Sequence, residues 1–195
     1  LPFDMSVRVP ESGERVTGTI SAEEWRPADS IQVFGELEQF SRFLGLTVDT
    51  ATEFSIDLDT REIEAAGTLS TYLAIRELPE PVSITTAYEY AADRVNLTNA
   101  VITEPRGGTA RFSGSIDLDS MLPSGYVDLR QWRYASLPEL TGGVRVTART
   151  RTLHLYSTRF SVAGVTTTDV SSTVNLGRDG ITADAASQLA NAPSG

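Results

Sequence analysis

The chain has 195 residues and no cysteine, and 26 acidic against 16 basic side chains leave it a net charge of −10. These counts exclude a disulfide framework, a thiol nucleophile and Cys-ligated metal, and the acidic balance argues against nucleic acid as a partner. Apolar residues at 40% suffice for one folded unit, read here as a single β-rich segment over residues 1–195, and no apolar run is long enough for a membrane span.

Taken in chain order, the dominant signal is period two. Val7 and Val9 open it, then Val16, Gly18 and Ile20, and Glu23-Glu24-Trp25 could make a single turn of helix. Ile31, Val33, Gly35 and Leu37 continue the alternation. Residues 38–44 then supply the best helical candidate, because Phe40, Phe43 and Leu44 fall at i, i+3, i+4. Alternation resumes at Leu44 to Val48, at Phe54, Ile56 and Leu58, and at Ile63, Ala65, Gly67 and Leu69. It runs on through Val82, Ile84 and Tyr90, Val95 and Leu97, Phe112, Gly114, Ile116 and Leu118, and Val127 and Leu129. Val144, Val146 and Ala148, Leu153 and Leu155, Phe160 and Val162, and Val174 and Leu176 complete it. Breakers such as Pro79-Glu80-Pro81, Pro105-Arg106-Gly107-Gly108 and Gly142-Gly143 separate the runs. The expected fold is all-β: an antiparallel meander of about a dozen strands with one dry face, curled into a trough with an apolar interior. Its start, Leu1-Pro2-Phe3-Asp4, lacks the shape of a signal peptide, and the segment reads as part of a longer repetitive β-sheet protein.

Five runs share a glycine-centred grammar, at Gly18, Gly35, Gly67, Gly114 and Gly164. Strand glycines cost stability, so each asks for a reason. They let the sheet bend, or an aromatic packs over them, or they leave a channel on the dry face. A second echo sets Ser55-Ile56-Asp57-Leu58-Asp59-Thr60 against Ser115-Ile116-Asp117-Leu118-Asp119-Ser120. Asp57/Asp59 and Asp117/Asp119 could bind calcium together, but a solvated outer face is the simpler account.

Enzymatic chemistry is not expected. The chain has no phosphate loop, no Gly-x-Ser-x-Gly elbow and no His-Glu-x-x-His, and its one histidine, His154, has the parity of a solvent-facing strand residue. No catalytic residue, cofactor or metal is assigned. Trp132 and Tyr134 could form a carbohydrate or headgroup platform, or simply pack.

The stretch Thr109-Ala110-Arg111-Phe112-Ser113-Gly114-Ser115-Ile116-Asp117-Leu118, followed by Pro123-Ser124-Gly125-Tyr126-Val127-Asp128-Leu129, resembles the repetitive β-rich body of the TamB and AsmA-like proteins. So does the Thr-rich alternation after Gly143. The resemblance implies a β-taco in the periplasm of a diderm bacterium, belonging to a parent anchored in the inner membrane. It also implies phospholipid transport to the outer membrane, with lipid acyl chains and an Omp85-type outer-membrane barrel as partners, and no catalytic residues.

On this reading the groove is lined by Val16, Ile20, Val33, Leu37, Phe54, Ile56, Leu58, Leu69 and Ile84 in the first half of the chain. Phe112, Ile116, Leu118, Val144, Val146, Leu153, Leu155, Phe160 and Val162 line it in the second, and the five glycines widen it. A uniform lining without polar anchors would favour sliding over specificity. The rival expectation is an extracellular β-sandwich adhesin or carbohydrate-binding module, whose core a second sheet would close.

Overall fold

Alternating side chains suit a pleated strand with one dry and one wet face, and frequent turns bring each strand back beside the one before it. In the computed structural model, which describes residues 3–11, 13–26, 46–74, 79–177 and 180–189, that pattern becomes one sheet. Its strands are β1 (Phe3–Arg8), β2 (Arg15–Trp25), β3 (Leu46–Asp57), β4 (Ile63–Leu73), β5 (Val82–Ala91) and β6 (Arg94–Thr103). They continue as β7 (Thr109–Asp117), β8 (Leu122–Trp132), β9 (Leu140–Arg149), β10 (Thr152–Val162), β11 (Val165–Gly177) and β12 (Gly180–Leu189). All twelve lie in sequence order, each antiparallel to its neighbour, and the sheet does not close into a barrel. Among the described residues β1 and β12 therefore each pair on one side only. No helix occurs among the described residues, and 38–44 lies outside them. Glu23-Glu24-Trp25 forms the end of β2 and not a separate turn.

The hairpin chemistry is local. Ala92 and Asp93 (φ 48° and 57°) make the two-residue connection of β5 and β6, and Ala163 and Gly164 (φ 50° and 83°) that of β10 and β11. Two successive positive φ values match the right-handed twist of the flanking strands.

Several strands change apolar parity part-way, and each change needs a bulge. In β6 the dry positions are Val95 and Leu97, then Ala100 and Ile102; in β8 they are Val127 and Leu129, then Trp132; in β10, Leu153 and Leu155, then Phe160 and Val162. One inserted residue restores the inward face after each shift. Glu24, Asn99, Gln131 and Asp169 adopt positive φ at such insertions. Three of them use a polar side chain of the facing strand to accept the bulge amide. Glu24 N donates to Asp49 Oδ1 (2.6 Å), Asn99 N to Ser113 Oγ (3.2 Å) and Gln131 N to Thr141 Oγ1 (3.3 Å). A backbone group displaced from the ladder is thereby paired again.

With parity repaired, one face is apolar from β1 to β11, and alanines report how crowded each side is. On the apolar face Ala22, Ala100 and Ala110 are 4%, 4% and 6% exposed, whereas Ala51, Ala66 and Ala87 on the other face are all exposed. The same side chain is covered only where its neighbours are large. At one end of the strands, loops of alternate hairpins are tied together. Arg106 bonds Glu80 at 3.0 Å, Tyr134 OH donates to Glu80 O at 2.9 Å, and the buried Glu104 carboxylate accepts from Arg106 N and Gly108 N.

Candidate functional site

One register row crosses the whole apolar face. Met5, Ile20, Thr52, Gly67, Tyr88, Leu97, Gly114, Gly125, Val146, Leu155, Ser172 and Ala185 stand opposite one another from β1 to β12. Opposed residues of antiparallel strands share a face, so this row is a straight path across the strands. Five residues expected in the groove, Ile20, Gly67, Gly114, Val146 and Leu155, fall on it. Phe54 and Gly18 lie one row to one side, and Leu69 one row to the other. Val16, Ile56, Ile84, Phe112, Ile116, Val144, Leu153 and Phe160 share the face, almost all of them part-buried with no second layer of strands over them among the described residues.

The remaining expectations are corrected by the turns. Leu58 and Leu118 stand beyond the ends of β3 and β7 and are 49% and 37% exposed. Their amides pair with the neighbouring hairpin, Leu58 N with Glu14 O and Leu118 N with Asp93 O, both at 2.9 Å, so they mark the rim and not the lining. Val162 is the last residue of β10 and is exposed. Gly164 belongs to the two-residue turn, where positive φ and not space on a face explains it. Val33, Gly35 and Leu37 lie outside the described residues.

Aromatic rings occupy the space over the strand glycines. At Gly114 and its opposite number Gly125 the two strands approach so closely that a Cβ on Gly114 would meet Ser124 O and, at 2.6 Å, Gly125 Cα; the Phe112 ring lies over both glycines. Phe54 covers Gly18 in the same way, and Phe160 covers Gly142. Gly67 is packed against Ala51 O and Thr52. The glycines therefore do not widen a channel: rings lie down on the sheet above them, an arrangement that rescues the packing a strand glycine forfeits. Sequence alone hinted at this through Phe112 beside Gly114, but Gly125 and Gly142 needed the register.

The lining is also not uniform. On β3, β4 and β5 the dry positions include Thr50, Thr52, Thr71, Thr86, Tyr88 and Tyr90, whereas from β6 to β10 the only side-chain hydroxyl on that face is Ser157. Ser157 is 3% exposed and donates to Arg159 O. Two open depressions, of about 760 and 560 Å³, cross β1–β5. Rows of the polar face, among them Thr17, Thr19, Glu53, Glu64 and Glu89, wall the larger one, so neither is an apolar cavity.

The aspartate echo has a structural job. Asp57 Oδ1 accepts from Asp59 N (3.0 Å) and Thr60 N (2.9 Å), and Asp117 Oδ1 accepts from Ser120 N (2.9 Å) and Ser120 Oγ (2.7 Å). These bonds hold both carboxyls below their ordinary pKa, led by the Thr60 amide at Asp57 and the Ser120 hydroxyl at Asp117. Among the described residues no cluster suits a metal ion. Trp132 and Tyr134 stack on each other at 5.8 Å, and the Tyr134 hydroxyl donates to Glu80 O, which ties the pair to the neighbouring loop. His154 is exposed on the polar face beside Thr173.

Comparison with protein-family models, with curated proteins and with solved structures returns no match. An apolar surface that is open, with sheet edges unpaired, among the described residues can receive an acyl chain from water, or a further strand at either edge.

Proposed function

We propose that this chain is a segment of a longer β-sheet protein that carries phospholipid acyl chains along its apolar face, as in the TamB and AsmA-like envelope proteins it resembles. The observation that supports this most is the aliphatic field of β6–β10, where Leu97, Ile102, Ile116, Val127, Leu129, Val144 and Leu155 share one face under no second sheet among the described residues. Burying a methylene returns about 0.8 kcal/mol, so a 16-carbon tail laid against such a surface could recover up to ~12 kcal/mol of its cost in water. The two edges, unpaired among the described residues, suit continuation of the sheet by further strands of the parent chain. On this reading the segment works in the periplasm, the parent is anchored in the inner membrane, and an Omp85-type barrel stands at the far end. It carries no reaction.

The adhesin reading asks for a sandwich core, and twelve strands in one sheet with no facing layer supply none among the described residues. The test is a photoreactive residue in place of Phe112, on the apolar face, compared with one in place of Ser113, on the polar face one position along. Lipid crosslinked in cells at 112 and not at 113, with phospholipid in organic extracts of the purified chain, is the expected result. Equal labelling from both faces, or a glycan-array signal with no lipid, would overturn it.

A further inference from the structure

On the dry face of β3–β5 the hydroxyl hydrogens of Thr50, Thr52, Thr71, Thr86 and Tyr88 follow from their partners, and Tyr90 OH donates to Asp93 Oδ1. Thr50 Oγ1 donates to Thr68 O (2.9 Å), so toward Thr52 Oγ1, 3.0 Å away, it can only accept. Thr52 has then used its one hydrogen and accepts from Tyr88 OH at 2.6 Å. Thr71 donates to Thr47 O (2.7 Å) and Thr86 to Ala87 O (2.8 Å). Each hydroxyl carries a single hydrogen, and every one of these is committed inside the sheet. What remains unfilled at the end of the Tyr88–Thr52–Thr50 chain is an acceptor, the phenolic oxygen of Tyr88. From it the register row leads over Leu97, Gly114, Gly125 and Val146 to Leu155 with no further side-chain hydroxyl, five strand spacings or about 24 Å away.

We infer that this row is a lipid site with a direction. The polar head of an amphiphile rests at Tyr88 and Thr52, its tail lies across β6–β10, and the head that fits is one that donates a hydrogen bond. This rests on the lipid-carrying reading and sharpens it, because a path with one polar end selects and orients its cargo. A primary ammonium or a hydroxyl supplies the donor; a quaternary ammonium does not. A bare phosphate oxygen or an ester carbonyl would meet an acceptor with another acceptor.

The 195-residue chain is incubated with mixed vesicles of phosphatidylethanolamine, phosphatidylglycerol and phosphatidylcholine bearing identical acyl chains. The lipid it retains is then quantified by mass spectrometry. Phosphatidylethanolamine should be retained at least about fivefold over phosphatidylcholine, the ratio that one net hydrogen bond sustains. Phosphatidylglycerol tells whether a hydroxyl donor serves as well, against the repulsion of a chain with net charge −10. In the double variant Thr52→Val/Tyr88→Phe the preference should collapse toward unity because phosphatidylethanolamine retention falls to the level of phosphatidylcholine, whose own retention is the internal reference; Tyr88→Phe alone, the milder change, should reduce the preference. Equal retention of the three lipids by the native chain, or a preference that survives in both variants, overturns the inference and leaves the lipid-carrying reading standing. Retention of no lipid overturns both.

Discussion

The apolar face contains two regions built on the same strand geometry but filled differently. Between β6 and β10 aliphatic side chains and flattened phenylalanines leave one internally bonded serine hydroxyl; on β3–β5 the corresponding positions carry threonines and tyrosines whose hydrogens are passed along to backbone carbonyls. Both regions answer the same demand, that no buried polar group stay unpaired. One meets it by having almost none and the other by closing a network. The difference shows that a dry sheet face need not be apolar throughout, and that period-two alternation does not report which kind it is.

The largest expected effect breaks the aliphatic region. Val146 is 8% exposed, and Val146→Asp should cost about 3 kcal/mol or more by denaturant unfolding, because an unpaired charge there has no partner. His154→Asp on the polar face should stay within about 0.5 kcal/mol. Comparable losses from the two would mean that the faces do not differ in burial.

Next comes the close approach at the centre of the row. Gly114→Ala should cost about 2 kcal/mol, since its Cβ would meet the backbone of β8 and force the strands apart. A folded, fully stable Gly114→Ala chain, judged by its melting temperature, would show that the Phe112 ring and the facing strand yield freely.

A smaller effect is expected in the hydroxyl region. Thr52→Val/Tyr88→Phe removes both partners of one bond and leaves Thr50 bonded to Thr68 O, so stability should change by less than about 1 kcal/mol. Thr52→Val alone should cost more than the double variant, because it leaves the Tyr88 hydroxyl without its acceptor. Measured the other way round, the pair would not be coupled as the geometry has it.

The smallest effect concerns a feature that both regions share, the aspartate turns that follow β3 and β7. Their folded carboxyls titrate below the ordinary value, so their contribution is complete above the unfolded carboxylate pKa and drains away as pH falls through the lower, folded value. A shallow drop in melting temperature below about pH 4 should therefore flatten in Asp57→Ala/Asp117→Ala. A drop of the same depth in that variant would assign acid sensitivity to other carboxylates.

Much of this was legible along the chain. The parity of Val127 and Leu129 predicts which face they take, and Pro79-Glu80-Pro81 and Pro105-Arg106-Gly107-Gly108 predict where strands end, whereas Gly142-Gly143 lies inside β9 and separates nothing. The repeated Ser-Ile-Asp-Leu-Asp motif marks two equivalent places, although its aspartates proved to be turn caps and not a ligand pair. Gly164, two residues after Val162 and directly before Val165, reads alike as a strand centre or as part of a two-residue turn. Thr50 and Thr52 were overlooked because threonine suits either face of a strand.

What the sequence by itself determined is the class of fold and the existence of two faces, because alternation is a property of successive residues and needs no partner strand. The tertiary structure alone decided which residues stand opposite one another. Register depends on turn lengths and on bulges at Glu24, Asn99, Gln131 and Asp169, and a slip of one residue would send every side chain to the other face. Across β3–β4–β5 and β7–β8 the register is unbroken, so there the turn lengths alone set Gly125 beside Gly114 beneath Phe112 and bring Tyr88 within hydrogen-bonding distance of Thr52, 36 residues earlier in the chain.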